Sequence, residues 1–545
     1  MNKERTKSLL LIVFFVFAST LAQTGKYPGA EVITASQLKT YLSFIASDEL
    51  EGRDTPSKGL DIAAKFLAVN LSRWGFKPAG DNGTYFQNVE LTRMKVDPEQ
   101  TRVEFDGKDY RFGDDFIASF AAGMSSPGTV TGQLVYVGHG WYIKNKGINA
   151  YDSIDVKDKI VVICGLSIPK GASGADLTGK VGEDWDNPRR RARALGAKGA
   201  IIVPSPGILI VWKDSRRILS NEWVVQVEKF VGEKFEFPTI FASPGLVNAL
   251  FRGESVSGQA LLTRAATNEP GAPFDLKNSK KVTISVVVRR DKPVTQNVVA
   301  VLEGSDNRLR NEYVALGAHY DHLGMRTTPV NGDSIYNGAD DDGSGTTAVL
   351  ALAEALAKGE RPKRSMLFVW HCGEEKGLWG SRYFTTYPTV PLKQIVTQLN
   401  IDMIGRSKKA NDTLRANAEL SGPNEIYVIG SKMMSSQVGE LTESVNKSYQ
   451  RLIFNFKYDD PADPNRFFFR SDHFHYANHG IPAVFFFDGE HEDYHRPGDE
   501  VDRIDFNKMM KVTKTVYALA WELANTRTRP VVDKELPQEL TRNPF

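Results

Sequence analysis

Residues 313–322 read YVALGAHYDH. The first six form a short run bounded by polar chain, of the kind a buried strand supplies, and the run ends on His319-Tyr320-Asp321-His322. The same arrangement recurs. Residues 365–370 (SMLFVW) lead into His371-Cys372-Gly373-Glu374-Glu375, and residues 399–401 lead into Asp402. Residues 483–487 (AVFFF) precede His491-Glu492-Asp493-Tyr494-His495. Asn337-Gly338-Ala339-Asp340-Asp341-Asp342-Gly343 precedes a stretch, 345–357, whose alanines and leucines follow a helical period. With a strand at 297–302 and an amphipathic helix at 505–524, strands and helices alternate. That pattern predicts an α/β fold with a mostly parallel central sheet flanked by helices. In such sheets the ligand site lies at the carboxyl ends of the strands.

Working outward, residues 34–75 show helical spacing at Leu38, Leu42 and Ile45 and again at Ala63, Phe66, Leu67 and Leu71, with Gly75 as the stop. Glu51-Gly52-Arg53-Asp54-Thr55 between them reads as a polar turn. Residues 128–263 have another texture: strands at 133–138 and 159–164, a basic helix at 189–195 and a strand at 200–203. They predict a small, self-contained α/β module inserted between an amino-terminal part, 23–127, and the main part, 264–525, of one larger domain. The Arg189-Arg190-Arg191 run reads as a solvated helix face. Residues 526–545 form a polar tail.

The 545 residues are 41% hydrophobic and 25% charged, an ordinary globular composition. Lys+Arg at 68 and Asp+Glu at 66 leave a net charge of only +2, so neither nucleic acid nor an anionic surface is an expected partner. Two cysteines exclude a disulfide scaffold and every cysteine-based zinc module. Lys3, Arg5 and Lys7 before an apolar run at 9–18, with small residues at 20–22, read as a secretory signal peptide over 1–22. Export is expected, with no later stretch long and apolar enough to span a membrane.

Of nine histidines, only His139 precedes residue 319. The other eight fall among the strand ends, beside aspartates and glutamates. A His and carboxylate set without thiolate suits zinc or a similar divalent ion, and the count exceeds what one ion needs. Two ions would need a bridging carboxylate and about two further ligands each. Individually, these residues have plainer readings. Glu374-Glu375 could be a solvated loop, and one aspartate of the 340–342 run could merely cap the next helix. His371, His475 and His479 read as structural or surface, while His322 and His473 stay open. Phe467-Phe468-Phe469 and Trp379 read as core, with an apolar pocket as the alternative.

The segments AHYDHLG (318–324), NGADDDGSG (337–345), CGEEKGLWGS (372–381), NIDMIG (400–405), FFRSDHFHYANHGIPAVFF (468–486) and DYHRPGDE (493–500) together resemble the zinc aminopeptidase family M28. The KIVVI strand and the LGAKGAIIV passage resemble a protease-associated domain. The resemblance implies an exported di-zinc metallopeptidase acting on peptides with a free amino terminus. In it His319 and Asp402 hold one zinc, Glu375 and His495 the other, and Asp340 bridges them. Glu374 is the general acid/base, and Asp321 orients the His319 imidazole. A glutaminyl-peptide cyclotransferase, or a silent receptor-like relative, are the alternatives.

Overall fold

The computed structural model describes residues 26–536, except 121–123, 222, 232–236 and 278–279. The expected signal segment 1–22 lies outside the described residues. The chain divides into two compact units, one drawn from Met1–Val89 and Val294–Phe545 and the other Glu90–Pro293. No described helix is long and apolar enough to cross a membrane.

Seven strands of the first unit's main sheet position the site: β1 (Val294–Leu302), β2 (Tyr313–His319), β3 (Ser365–His371), β4 (Ile395–Ile401), β5 (Glu425–Ile429), β6 (Ile453–Asn455) and β7 (Ala483–Phe487). Their spatial order is β1-β3-β2-β4-β7-β5-β6. The middle four, β3, β2, β4 and β7, run parallel. β1 is antiparallel to β3, and β5 is antiparallel to β7. The sheet is therefore mixed, with its parallel part at the centre. The β3 strand is buried along its whole length, as a parallel strand covered on both faces must be. Successive side chains serve opposite faces. Ala315, Leu367 and Val369 join Phe384 and Tyr476 in one core, while Trp370 turns the other way and its indole N–H donates to Thr346 O at 3.1 Å.

Helices fill both sides. α1 (Ala35–Ile45), α2 (Lys58–Arg73), α3 (Gly345–Lys358), α4 (Trp379–Thr386), α5 (Ser436–Ser448), α6 (His473–Asn478) and α7 (Phe506–Asn525) follow in chain order. Thr34 and Ser57 cap α1 and α2 by accepting the Gln37 and Leu60 amides. Asp505 caps α7. α3, α1 and α7 pack together, and α3 also covers β2 and β4. The β4 strand begins at Ile395, four residues before the apolar signal at 399. Thr397, Gln398 and Asn400 are fully buried within it, so its polar half hides the strand from a hydrophobicity reading.

The second unit carries its own sheet, in which Gly128–Tyr136, Ile160–Cys164, Gly199–Val203 and Thr239–Ala242 run parallel in that order. A helix, Pro188–Ala194, precedes the third. Short strands Arg102–Phe105 and Lys281–Val286 join the same sheet from outside the expected 128–263. They lengthen the unit to 90–293. Its ends lie side by side, the Leu91 amide donating to Pro293 O at 3.0 Å, and adjacent termini are what an insertable unit needs. Replacing residues 90–293 by a short Gly/Ser linker is expected to leave a soluble, cooperatively unfolding protein, measured by circular dichroism during thermal melting. Insoluble product, or a non-cooperative melt, would show that the first unit cannot fold without the second.

Candidate metal centre

Four strands of the parallel core deliver the site. His319 is the last residue of β2, Asp402 directly follows β4, and Glu374 and Glu375 follow β3 within a tight turn. His491 and His495 lie on the loop after β7. The 337–344 loop enters from the start of α3. The carboxyl ends of parallel strands thus converge on one buried spot.

Asp341 stands at its middle. Its Oδ1 is 3.2 Å from His319 Nε2 and its Oδ2 is 3.1 Å from His495 Nε2. On the His319 side, Asp402 Oδ1 stands 3.7 Å from Nε2 and Glu374 Oε2 3.9 Å. On the His495 side, Glu375 Oε2 is 3.1 Å from Nε2, and Glu375 Oε1 is 2.7 Å from His322 Nδ1. All are buried or nearly so except His495, whose side chain is 37% exposed.

Each ligand-type group is held from behind. His319 Nδ1 faces Asp321 O at 3.2 Å and the Asp321 carboxylate at 3.6 Å. A proton on Nδ1 leaves the Nε2 lone pair aimed into the site, which is the tautomer a metal ligand requires. The Ser471 hydroxyl donates to Asp402 Oδ2 at 2.6 Å and itself accepts from Asn400 Nδ2 at 2.8 Å. The Asp321 carboxylate accepts the Glu374 amide at 3.2 Å.

Of the expected ligands, the structure brings His319, Glu375, Asp402 and His495 together and leaves Asp340 out. Asp340 Oδ1 accepts the Gly405 amide at 2.6 Å, and its Oδ2 faces His491 Nε2 at 3.3 Å, away from the other four. Asp341, and not Asp340, stands between His319 and His495. Asp342 takes the capping role, its Oδ1 accepting the Gly345 amide at 2.8 Å at the start of α3. Asp341 and Asp342 leave helical geometry within this loop. Consecutive aspartates therefore point three ways, and residue order alone does not say which faces the ligands.

The electrostatics favour a cation. Burial alone would raise the Asp341 carboxyl, yet His322, His319 and His495 together hold it well below the ordinary range. Against burial, Asp341 and Glu375 lift His495 to about 10. Burial pushes Glu374 well above the usual carboxyl range, and Asp402 and Glu375 add to this against the pull of His319. Imidazoles face the crowded carboxylates, whose negative charge a divalent ion would answer better. His319 Nε2, Asp341 Oδ2 and Glu375 Oε1 are also buried, each facing a charged group across the site without a well-formed hydrogen bond. Orphaned atoms of this kind cost about 1–3 kcal/mol each, and bound cations would satisfy them. The donor set, imidazole and carboxylate without thiolate, fits zinc.

A cleft opens beside the centre, lined by Met403, Phe467, Phe485, Phe487 and Tyr494, with Arg470 and Glu490 among its polar residues. Phe467 thus serves as both core and wall, whereas Phe468 and Phe469 are core only. His371 pairs with Asp472 at 3.2 Å and with the Tyr476 hydroxyl at 3.0 Å, and His473 stacks on Phe485, both away from the ligand cluster.

Residues 297–520 match the model of Peptidase family M28. The matched segment contains every ligand-type residue of the centre. Curated relatives include a "Probable zinc metalloprotease" of Pyrenophora teres, 31% identical over 45% of this chain and 55% of its own length. Another is "Leucine aminopeptidase 1" of Ajellomyces dermatitidis, 30% identical over 42% of this chain and 56% of its own. The chain thus spans about half the length of these relatives. Among solved structures, an aminopeptidase from an Aneurinibacillus species is 17% identical with a TM-score of 0.49, over 93% of this chain and 97% of that one.

The aspartate run gives a direct test. Asp341→Asn should abolish binding of zinc, measured by elemental analysis after dialysis. Asp340→Asn should retain the metal content of the unchanged protein. The opposite pattern would return the bridge to Asp340.

Proposed function

We propose that this protein is an exported di-zinc aminopeptidase that removes residues from the amino terminus of peptides. One observation carries the reading: the two oxygens of Asp341 face the imidazoles of His319 and His495, with Asp402 completing one side and Glu375 the other. His319, Asp402 and Asp341 would hold one ion; His495, Glu375 and Asp341 the other. Bound zinc supplies Lewis acidity toward the scissile carbonyl and lowers the pKa of water.

Glu374 is the carboxylate beside His319 that this assignment leaves free of an ion. It faces His319 at 3.9 Å, and burial raises its proton affinity well above the usual carboxyl range. A base tuned upward in this way accepts a proton from the attacking water and returns it to the leaving amine. The Asp321 carboxylate fixes the Glu374 backbone while the Asp321 carbonyl fixes His319. The apolar walls of the adjoining cleft, Phe467, Phe485 and Phe487, suit an uncharged substrate side chain. The signal-like segment at 1–22 supports export. The strand, strand, helix, strand passage within Glu90–Pro293 supports reading that unit as protease-associated.

Glu374→Gln is expected to lower kcat by about 10²- to 10⁴-fold, the usual worth of a positioned acid/base, with zinc content unchanged. Glu375→Gln should weaken zinc binding, with activity partly recovered at high zinc. The assay is a panel of amino-acid anilides run beside an amino-terminal glutamine peptide. Cyclisation of the glutamine peptide without anilide cleavage would make the protein a cyclase, and no turnover by the zinc-loaded protein would make it a silent relative.

A further inference from the structure

The turn Glu51-Gly52-Arg53-Asp54-Thr55 lies outside the matched segment, and its sequence suggests only an exposed polar loop. The structure buries both Arg53 and Thr55 completely. Glu51, Gly52 and Arg53 hold left-handed φ angles of 50°, 68° and 50° in succession. For residues with side chains this conformation costs on the order of 1–2 kcal/mol each, and it persists where surrounding contacts over-determine it. Gly52 is pressed close: a Cβ there would stand 2.5 Å from Tyr336 O and 2.7 Å from Gly324 O.

The contacts that hold this turn are with the loops of the metal centre. The Arg53 guanidinium donates to Tyr320 O at 2.9 Å, Asn337 O at 2.7 Å, Gly338 O at 3.0 Å and Ile45 O at 2.5 Å. Tyr320 sits between His319 and Asp321, and Asn337-Gly338 opens the loop that carries Asp341. In return, the His322 amide donates to Arg53 O at 3.1 Å. Two residues on, the Thr55 hydroxyl donates to Asp321 Oδ2 at 3.1 Å and accepts the Gly373 amide at 3.1 Å. Gly373 immediately precedes Glu374 and Glu375. Arg53 therefore joins the first loop to the second, and Thr55 joins the first to the third.

Filling space does not explain this choice. A buried guanidinium loses its hydration, and an apolar side chain of similar size would pack without that loss. What a planar group with several fixed donors supplies, and an apolar one does not, is a set spacing between carbonyls on different loops. We propose that Arg53 and Thr55 are positioning residues of the metal centre, fixing the spacing of the three loops that carry His319, Asp341 and the Glu374-Glu375 pair. The inference rests on the reading of that centre as a metal site.

Thr55→Val removes the hydroxyl and keeps the shape; Thr55→Ser restores the hydroxyl. Arg53→Lys keeps the charge but not the fork of donors. Each is made in the full chain and loaded with Co²⁺, whose visible absorption reports coordination geometry. Affinity is read by competition with a chelator, without substrate. Thr55→Val and Arg53→Lys are expected to weaken Co²⁺ binding about 10- to 100-fold, the range for partners that orient metal ligands, and to alter the absorption bands. Thr55→Ser is expected to recover both. Lower thermal stability with unchanged Co²⁺ affinity and bands would overturn the proposal, leaving the turn a purely structural element. Should Arg53→Lys fail to fold, the threonine pair decides the matter alone. A protein that binds Co²⁺ as expected but cleaves no peptide contradicts the proposed activity and not this inference.

Discussion

The carboxylate of Asp341, with one oxygen toward His319 and the other toward His495, is the contact around which this unit is arranged. Asp402, Glu374 and Glu375 crowd the same buried space. Four carboxylates cannot be buried together unless positive charge is buried with them. The imidazoles answer part of that demand, and a pair of divalent cations answers it fully. Much of the surrounding architecture keeps these groups from relaxing apart. Parallel strands end at one level, Ser471 pins Asp402, Asp321 pins His319 and the backbone of Glu374, and a buried arginine ties the loops together.

The run Asp340-Asp341-Asp342 shows how finely the labour is divided. Asp342 serves the fold by capping α3 and by accepting the Met403 amide at 3.1 Å. Asp340 faces backward, toward His491 and the Gly405 amide. Asp499 accepts the amides of both Asp340 and Asp341, holding the turn that separates their side chains. Asp341 stands between His319 and His495, while the Asp342 carboxylate lies near His319 and Asp402. A one-residue slip in this loop would exchange a bridging carboxylate for a capping one without changing the composition of the site.

These cases mark how far the sequence could be read. Strands with continuous apolar runs, such as β3 and β7, stand where their hydrophobicity predicts, because burial on both faces leaves an unbroken signal. His319 ends β2, Asp402 directly follows β4, and Glu375 and His495 lie on the loops after β3 and β7; position at the carboxyl ends of strands is the signal that pointed to all four. Asp341 was not separable from Asp340, since the loop follows no period that would assign a face to each residue. The start of β4 was hidden by buried Thr397 and Gln398, whose environment is polar for reasons of tertiary contact. The antiparallel pairing of β1 and β5 leaves no mark in a pattern of alternating elements. Arg53 and Thr55 were unreadable for a different cause. Their partners lie far along the chain, and a charged turn reads as solvated until tertiary structure buries it. The second unit reached beyond 128–263 because its outer strands, Arg102–Phe105 and Lys281–Val286, are short and half polar.

The most direct measurement is anomalous diffraction at the zinc absorption edge from crystals of the zinc-loaded protein. The account predicts two peaks on opposite sides of the Asp341 carboxylate, one beside His319 and Asp402 and the other beside Glu375 and His495. A single peak, or a peak beside Asp340 and His491, would contradict it.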